Sequence, residues 1–264
     1  MDISSYQHAK LQLAMAVKLS IIIPCYNERE NLDRGVLNEI YSYLKTVPYS
    51  WEVIISNDAS SDTSSQFVSS YIKDKPLFSL LNNPHGGKAK AVWAGIQAAK
   101  GDIILFTDMD QSTPLSEVAK LLPWYDKDYD VVFGSRGSVR ANFPWYRQLM
   151  SAGFRIFRQL FLLKDIEDTQ CGFKSFRRQV ALEIFPKLEV IGRTTTTKGW
   201  SVSAFDVELL FLAEKLGYRL KEVDVSWQDR DVTTGKSKNF IKESKDMLKQ
   251  ILRVKLNDLY GRYG

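Results

Sequence analysis

The sequence predicts an α/β fold in which a mostly parallel sheet carries helices on both faces. Three observations predict it. Short apolar, β-branched runs alternate with longer segments of helical period, which implies βαβ units. The runs are apolar along most of their length, as strands buried on both faces are. No repeat, low-complexity tract or Gly-Ser linker divides the 264 residues, and 44% apolar with 25% charged side chains suffices for one large core. The expected organisation is an N-terminal extension over 1–18 and a single domain over 19–264.

In chain order, Leu19-Ser20-Ile21-Ile22-Ile23 reads as the first strand, followed by a helix over 31–46. Trp51-Glu52-Val53-Ile54-Ile55 is the second strand, with a helix over 63–73. A strand over 78–81, a helix over 88–99, a strand beginning at Asp102, a helix near 116–125 and a strand over 130–133 continue the alternation. Ligands of such sheets gather at the carboxyl ends of the strands. Three of these ends carry polar clusters: Pro24-Cys25-Tyr26-Asn27-Glu28, Asn57-Asp58-Ala59-Ser60-Ser61-Asp62, and Asp108-Met109-Asp110. If the strand from Asp102 runs as far as Asp110, Asp108 and Asp110 point to the same side. Their mutual repulsion then calls for a cation or strong donors between them. The alternative is that one Asp caps the helix announced by Pro114-Leu115-Ser116-Glu117 while the other is solvated. Three clusters on one edge favour a site.

Composition narrows the function further. Cys25 and Cys171 lack metal-ligand spacing and fit packed residues in a reducing, cytosolic compartment. The apolar patch over 11–17 is too short and too polar for a signal sequence or a spanning helix. The net charge of +5 favours anionic partners such as phosphates or anionic lipid. A nucleic-acid partner is not expected, since no aromatic-basic RNA signature accompanies the charge. A dinucleotide-binding enzyme is disfavoured because the first strand lacks a Gly-x-Gly-x-x-Gly turn.

The three strand-end clusters resemble the opening strand, nucleobase loop and metal motif of inverting GT-A glycosyltransferases. Gly134-Ser135-Arg136, the run from Trp145 through Arg147 to Ser151, Asp168-Thr169-Gln170-Cys171-Gly172-Phe173-Lys174, and Ala204-Phe205-Asp206-Val207-Glu208 resemble the polyprenyl-phosphate branch, most of all the dolichyl-phosphate β-glucosyltransferases. The resemblance runs from about residue 19 to the end. It implies a GT-A (Rossmann-like) sheet with amphipathic interfacial helices, and a donor site in which Pro24, Tyr26 and Glu28 border the nucleotide and Asp58 receives the base. It also implies that Asp108 and Asp110 hold Mg²⁺ or Mn²⁺ on the diphosphate, and that Arg230 and Lys238 belong to a late loop folding over it. Arg136 joins the donor contacts. Asp168 and Gln170 contact the sugar or hold their own loop. Asp206 lies near the reacting centre, either as a base or orienting sugar or cation. The Gly86-Gly87-Lys88-Ala89-Lys90 turn either brings Lys88 and backbone donors to phosphate or is a solvated turn.

Departures from the family pattern sit at Asn57 and Ala59, where Asp and Gly are usual, at Ala89 and Lys90, which replace glycines, and at Ser112, where mannose-transferring relatives use Gln. The last argues against a GDP-mannose donor. The resemblance implies UDP-glucose, with GDP-mannose or a non-lipid polysaccharide acceptor as the alternatives. The tract over 192–199 looks like an acceptor-side loop.

On the acceptor side, residues 145–164 spread apolar side chains over a wide helical face and place Arg147, Ser151, Arg155 and Arg158 along another. Such a helix lies in a bilayer interface or packs on a core or partner. The resemblance favours the first, with Arg147 and Ser151 binding the lipid phosphate. A second basic amphipathic stretch over 240–260 is either a further membrane contact or a solvated terminal helix. The expected enzyme is thus a metal-dependent hexosyltransferase held peripherally at the cytoplasmic face of a membrane. Its oligomeric state is not encoded legibly.

Overall fold

A computed structural model describes residues 18–137, 163, 166–192, 205–233 and 240–263. The described strands are β1 (Leu19–Cys25), β2 (Trp51–Asn57), β3 (Phe78–Asn82), β4 (Ile103–Phe106), β5 (Val131–Ser135), β6 (Lys174–Arg177) and β7 (Leu220–Asp224). They form one sheet in the order β3-β2-β1-β4-β6-β5-β7. All pairings are parallel except those of β6, which runs antiparallel to both β4 and β5. The mostly parallel sheet expected from the alternation is therefore present.

Strand parity divides the core. Ile22, Ile54, Ile104 and Phe106 face one side, where they meet Val92 and Ile96 of α4 (Lys88–Ala98). Ile21, Ile23, Val53, Ile55, Ile103 and Leu105 face the other, against Val36, Leu37 and Ile40 of α2 (Val36–Leu44). Each such side chain taken out of water contributes about 1.5–3 kcal/mol, so both faces drive assembly. The remaining helices among the described residues are α1 (Arg29–Asp33), α3 (Ser64–Tyr71), α5 (Val118–Leu121), α6 (Arg178–Ile184), α7 (Glu189–Gly192), α8 (Phe205–Lys215) and α9 (Phe240–Leu259).

Two helices differ from the sequence expectation. The segment over 31–46 is split into α1 and α2 because Gly35 adopts φ 89°, a left-handed conformation that interrupts the helical ladder. The segment near 116–125 yields only α5 between two 3₁₀ turns, Leu115–Glu117 and Leu122–Lys127. Pro123 there has no N–H with which to continue an α-helix. The expected helix over 145–164 lies, but for Leu163, outside the described residues, as does most of the 192–199 tract.

Candidate active site

The strand feeding the two carboxylates stops earlier than expected. β4 ends at Phe106, Thr107 N–H donates to the Ile22 carbonyl at 3.1 Å, and the chain then turns, with Gln111 N–H donating to the Asp108 carbonyl at 3.2 Å. Asp108 and Asp110 are thus presented by a turn, and strand parity does not aim them. Neither does Asp110 cap a helix: its Oδ1 accepts the Ser112 N–H at 2.8 Å, inside the turn. Arg34 Nη2 donates to the Asp110 carbonyl at 2.5 Å and fixes the turn from outside. Gln111 sits at φ 50°, and the loops after β1 and β2 contain Asn27 at φ 54° and Ala59 at φ 56°. Three of the four positive-φ non-glycine residues among the described residues therefore lie on this one edge, where backbone strain accompanies function.

Electrostatics converge on the turn. Buried Lys88, the first residue of α4, pairs with the Asp108 carboxylate. Burial alone would lower the Lys88 pKa, but Asp108 and Asp206 outweigh it and hold the ammonium charged. Burial, and then the neighbouring Asp108 charge, push the Asp110 carboxyl above its ordinary value. Next to the pair lies a cavity of about 20 Å³ lined by Thr107, Asp108, Asp110, Ser112, Thr113, Gly172 and Trp227. Gly172 keeps it open, because a Cβ there would stand 2.0 Å from Asp108 Oδ2. Two like charges, a raised carboxyl and space of ionic size suit a hard divalent cation that takes its other ligands from substrate phosphate.

The loop after β2 is anchored through Asp58. Asp58 has no exposed surface, and its carboxylate accepts the Gly86 and Gly87 N–H groups at 2.7 and 2.9 Å and faces His85 Nδ1 at 3.0 Å. Its evident task is to hold the turn that delivers Lys88. The same bonds occupy the glycine donors, so those two amides form no free phosphate cradle. The ring of Tyr26 lies 4.8 Å from that of His85, centroid to centroid, making a ring surface at the donor edge that the sequence reading had not paired. Pro24 is buried near the end of β1. Glu28 is buried, with Oε2 accepting from Asn31 Nδ2 at 2.7 Å. Asn57 Nδ2 donates to Asn82 Oδ1 at 2.9 Å, which accounts for an amide where a carboxylate is usual.

A second cluster stands beside the first. Arg136 makes a two-pronged pair with Asp168, at 2.7 and 2.8 Å. Burial opposes ionisation of Asp168, but Arg136 overrides it and holds the carboxyl far below its usual range. The Gln170 N–H also donates to Asp168, at 3.1 Å. Glu222 on β7 accepts the Glu167 and Asp168 N–H groups, each at 2.7 Å, and ties this loop to the sheet. Lys174 on β6, fully buried, donates to Asp206 Oδ1 at 2.6 Å and to the Cys171 carbonyl at 2.5 Å. Asp206 enters from the first turn of α8. Lys174 and Asp206 are 32 residues apart, so no local sequence pattern reports the pair. Cys25 is no nucleophile: burial pushes its thiol up to about 12.

Beyond β7 the chain crosses the turn. Ser226 N–H donates to Glu117 Oε2 at 3.0 Å, Gln228 N–H to the Ser112 carbonyl at 2.9 Å, and Arg230 N–H to Ser112 Oγ at 3.1 Å. The Arg230 guanidinium is paired with Glu39 at 2.9 Å and braces this segment against α2. Lys238, Arg147 and Ser151 lie outside the described residues.

A mostly parallel sheet whose carboxyl edge gathers paired carboxylates, a buried lysine and a cation-sized space is the architecture of nucleotide-sugar glycosyltransferases. Residues 20–185 match the family model "Glycosyl transferase family 2", and the chain belongs to that family. It is 34% identical to a dolichyl-phosphate beta-glucosyltransferase of Dictyostelium discoideum, over 93% of this chain and 76% of that protein. It is 32% identical to the human enzyme of the same name, over 80% and 68%. In structure it resembles glucosyl-3-phosphoglycerate synthase from Mycobacterium tuberculosis in complex with Mn²⁺, UDP-glucose and phosphoglyceric acid. The TM-score is 0.61 at 15% identity, covering 96% of this chain and 84% of that one.

Proposed function

We propose that this glycosyltransferase moves glucose from UDP-glucose to the phosphate of a polyprenyl lipid of the dolichyl type, in a single displacement with inversion. The observation that carries the donor half is the Asp108–Asp110 turn with its small cavity, kept open by Gly172. The activity for which the dolichyl-phosphate beta-glucosyltransferase relatives are named supports the acceptor half.

Asp108 and Asp110 would hold Mg²⁺ or Mn²⁺, which when bound supplies charge neutralisation to the departing diphosphate. Lys88 pairs with Asp108 and aims it, and Asp58 keeps Lys88 in place through the Gly86-Gly87 turn. Tyr26 and His85 offer ring surface to the nucleobase, with Pro24 and Glu28 shaping the floor beneath. The buried Lys174–Asp206 pair places a carboxylate beside Lys88 without demanding that it remove a proton. None is required: a phosphate monoester is largely dianionic near neutrality, its second pKa being about 6. Arg136, paired with Asp168, stands at the donor side, and Arg147 and Ser151, carried from the family resemblance, would bind the acceptor phosphate.

The acceptor is a membrane lipid, and α9 supplies a surface suited to reaching it. Its Ile251 and Val254 are buried in the core, while Leu252, Leu256, Leu259 and Tyr260 are exposed on another face beside exposed Lys249 and Arg262. No helix among the described residues is long and apolar enough to cross a membrane. This face would rest in the interface at the cytoplasmic side, with basic residues near anionic headgroups. Steady-state kinetics of Arg147→Ala, with each substrate varied separately, test the acceptor assignment. Dolichyl phosphate KM should rise and kcat fall while UDP-glucose binding survives. Equal impairment toward both substrates, or none, contradicts it.

A further inference from the structure

Six large apolar side chains are exposed among the described residues. Leu252, Leu256, Leu259 and Tyr260 belong to the terminal helical face, and the other two, Trp227 and Val232, lie on the segment that crosses the carboxylate turn. Trp227 is the one that lines the cavity shared by Asp108, Asp110 and Gly172. Its 38% exposure is thus directed to the site's edge, among walls otherwise made of hydroxyls, carboxylates and a glycine.

The backbone that carries the indole is held in place on both sides. Its neighbours are fixed on both sides by the Ser226 N–H to Glu117 and the Gln228 N–H to the Ser112 carbonyl, and the latter ties it to the very turn that bears Asp110. The Arg136 guanidinium lies 5.6 Å from its ring centroid, and Arg136 is itself immobilised by both oxygens of Asp168. Trp227 therefore bridges the two charged clusters of the site. An exposed apolar ring kept rigid at this place needs a ligand that is polar at its rim and apolar on its face. A diphosphate has no apolar face, and the nucleobase is assigned above to the rings of Tyr26 and His85. A pyranose fits the remaining place: its hydroxyls project outward for carboxylates and hydroxyls to bind, and its C–H groups form a face.

We propose that Trp227 is a substrate-contact residue, the platform on which the hexose ring of the nucleotide sugar stacks. The proposal rests on the donor reading above and adds which residue recognises the sugar part. A hexose with all ring hydroxyls equatorial presents an uninterrupted C–H face, whereas an axial hydroxyl at C2 or C4 breaks one face. Trp227 therefore also contributes to discrimination among hexoses.

The test separates the sugar from its nucleotide. Binding of UDP and of UDP-glucose is measured calorimetrically, with Mn²⁺ present, for wild type, Trp227→Phe and Trp227→Ala, alongside GDP and GDP-mannose for wild type. Trp227→Ala should weaken UDP-glucose by about tenfold while UDP affinity stays within about twofold, and Trp227→Phe should restore most of the loss. Loss of UDP and UDP-glucose in equal measure would make Trp227 a strut for the crossing segment and overturn the proposal, as would an unaltered Trp227→Ala. If wild type binds GDP-mannose and not UDP-glucose, the donor assignment fails. The same comparison run on GDP and GDP-mannose then decides the platform by itself. A wild type that binds no nucleotide sugar overturns both.

Discussion

Gly172→Ala is the sharpest perturbation of the carboxylate turn, because it adds one methyl group and no charge. The added Cβ would stand 2.0 Å from Asp108 Oδ2 and 2.8 Å from its Cγ, whereas ordinary contact begins near 3.4 Å. Gly172 does not occupy the left-handed region, so the backbone accepts alanine and the strain falls on the carboxylate. Asp108 has 41% of its side chain exposed and can swing outward, which limits the stability cost to about 1 kcal/mol, or about 2–4 °C in Tm. The swing required is about 1.4 Å, enough to remove the carboxylate from Lys88 and from its place beside Asp110. A displacement of about 1 Å at a reacting centre costs on the order of 100-fold in rate. Transfer assays with Mn²⁺ titration, and direct Mn²⁺ binding by electron paramagnetic resonance, should show that loss together with weakened metal affinity in a folded protein. Transfer within about threefold of wild type with unchanged Mn²⁺ affinity would refute the reasoning, and so would a large drop in Tm, which would make Gly172 a packing position.

Asp168→Asn should destabilise the protein by about 3 kcal/mol at pH 7, since it removes the buried carboxylate that neutralises the partly buried Arg136 guanidinium. Because the folded-state pKa of Asp168 is depressed, the wild-type contribution is fully present above the unfolded value near 3.9 and is lost only as pH falls toward the folded value. Urea titrations at a series of pH values should show the wild-type and variant stabilities converging only in strong acid. Ala59→Gly should raise stability by up to about 1 kcal/mol, as the left-handed strain at φ 56° exceeds the entropy lost by glycine, and thermal unfolding reads the gain. Leu256→Glu should abolish sedimentation with anionic vesicles while leaving transfer to a short-chain, detergent-dispersed acceptor intact; retained vesicle binding would remove α9 from the membrane contact.

What the sequence made legible follows from the range of the interactions involved. Strands such as Ile21-Ile22-Ile23 and Val53-Ile54-Ile55 announce themselves because burial on both faces imposes a local composition. The polar clusters at their ends were equally visible, including Asp108 and Asp110, although a turn rather than a strand brings those two together. Partnerships across the chain were not visible. Asp58 is bonded to Gly86 and Gly87, 28 and 29 residues away, and Arg230 to Glu39, 191 residues away, separations that no local pattern reports. The short antiparallel β6, Lys174-Ser175-Phe176-Arg177, carries charge at both ends and reads locally as loop, yet it delivers Lys174 to Asp206. The roles of Gly172 and Trp227 depend on what approaches them in space, which no local pattern reports.

The central claim is that this edge transfers glucose to a lipid phosphate, and product analysis tests it most directly. Purified enzyme is incubated with UDP-glucose labelled in the sugar, dolichyl phosphate and Mg²⁺ or Mn²⁺, and the organic-phase product is analysed for sugar, linkage and anomeric configuration. The account predicts β-linked glucosyl phosphoryl lipid formed in step with UDP release, dependent on both lipid and metal, and absent from Asp110→Asn. Labelled glucose that reaches no lipid, UDP released equally without acceptor, or full transfer by Asp110→Asn would contradict it.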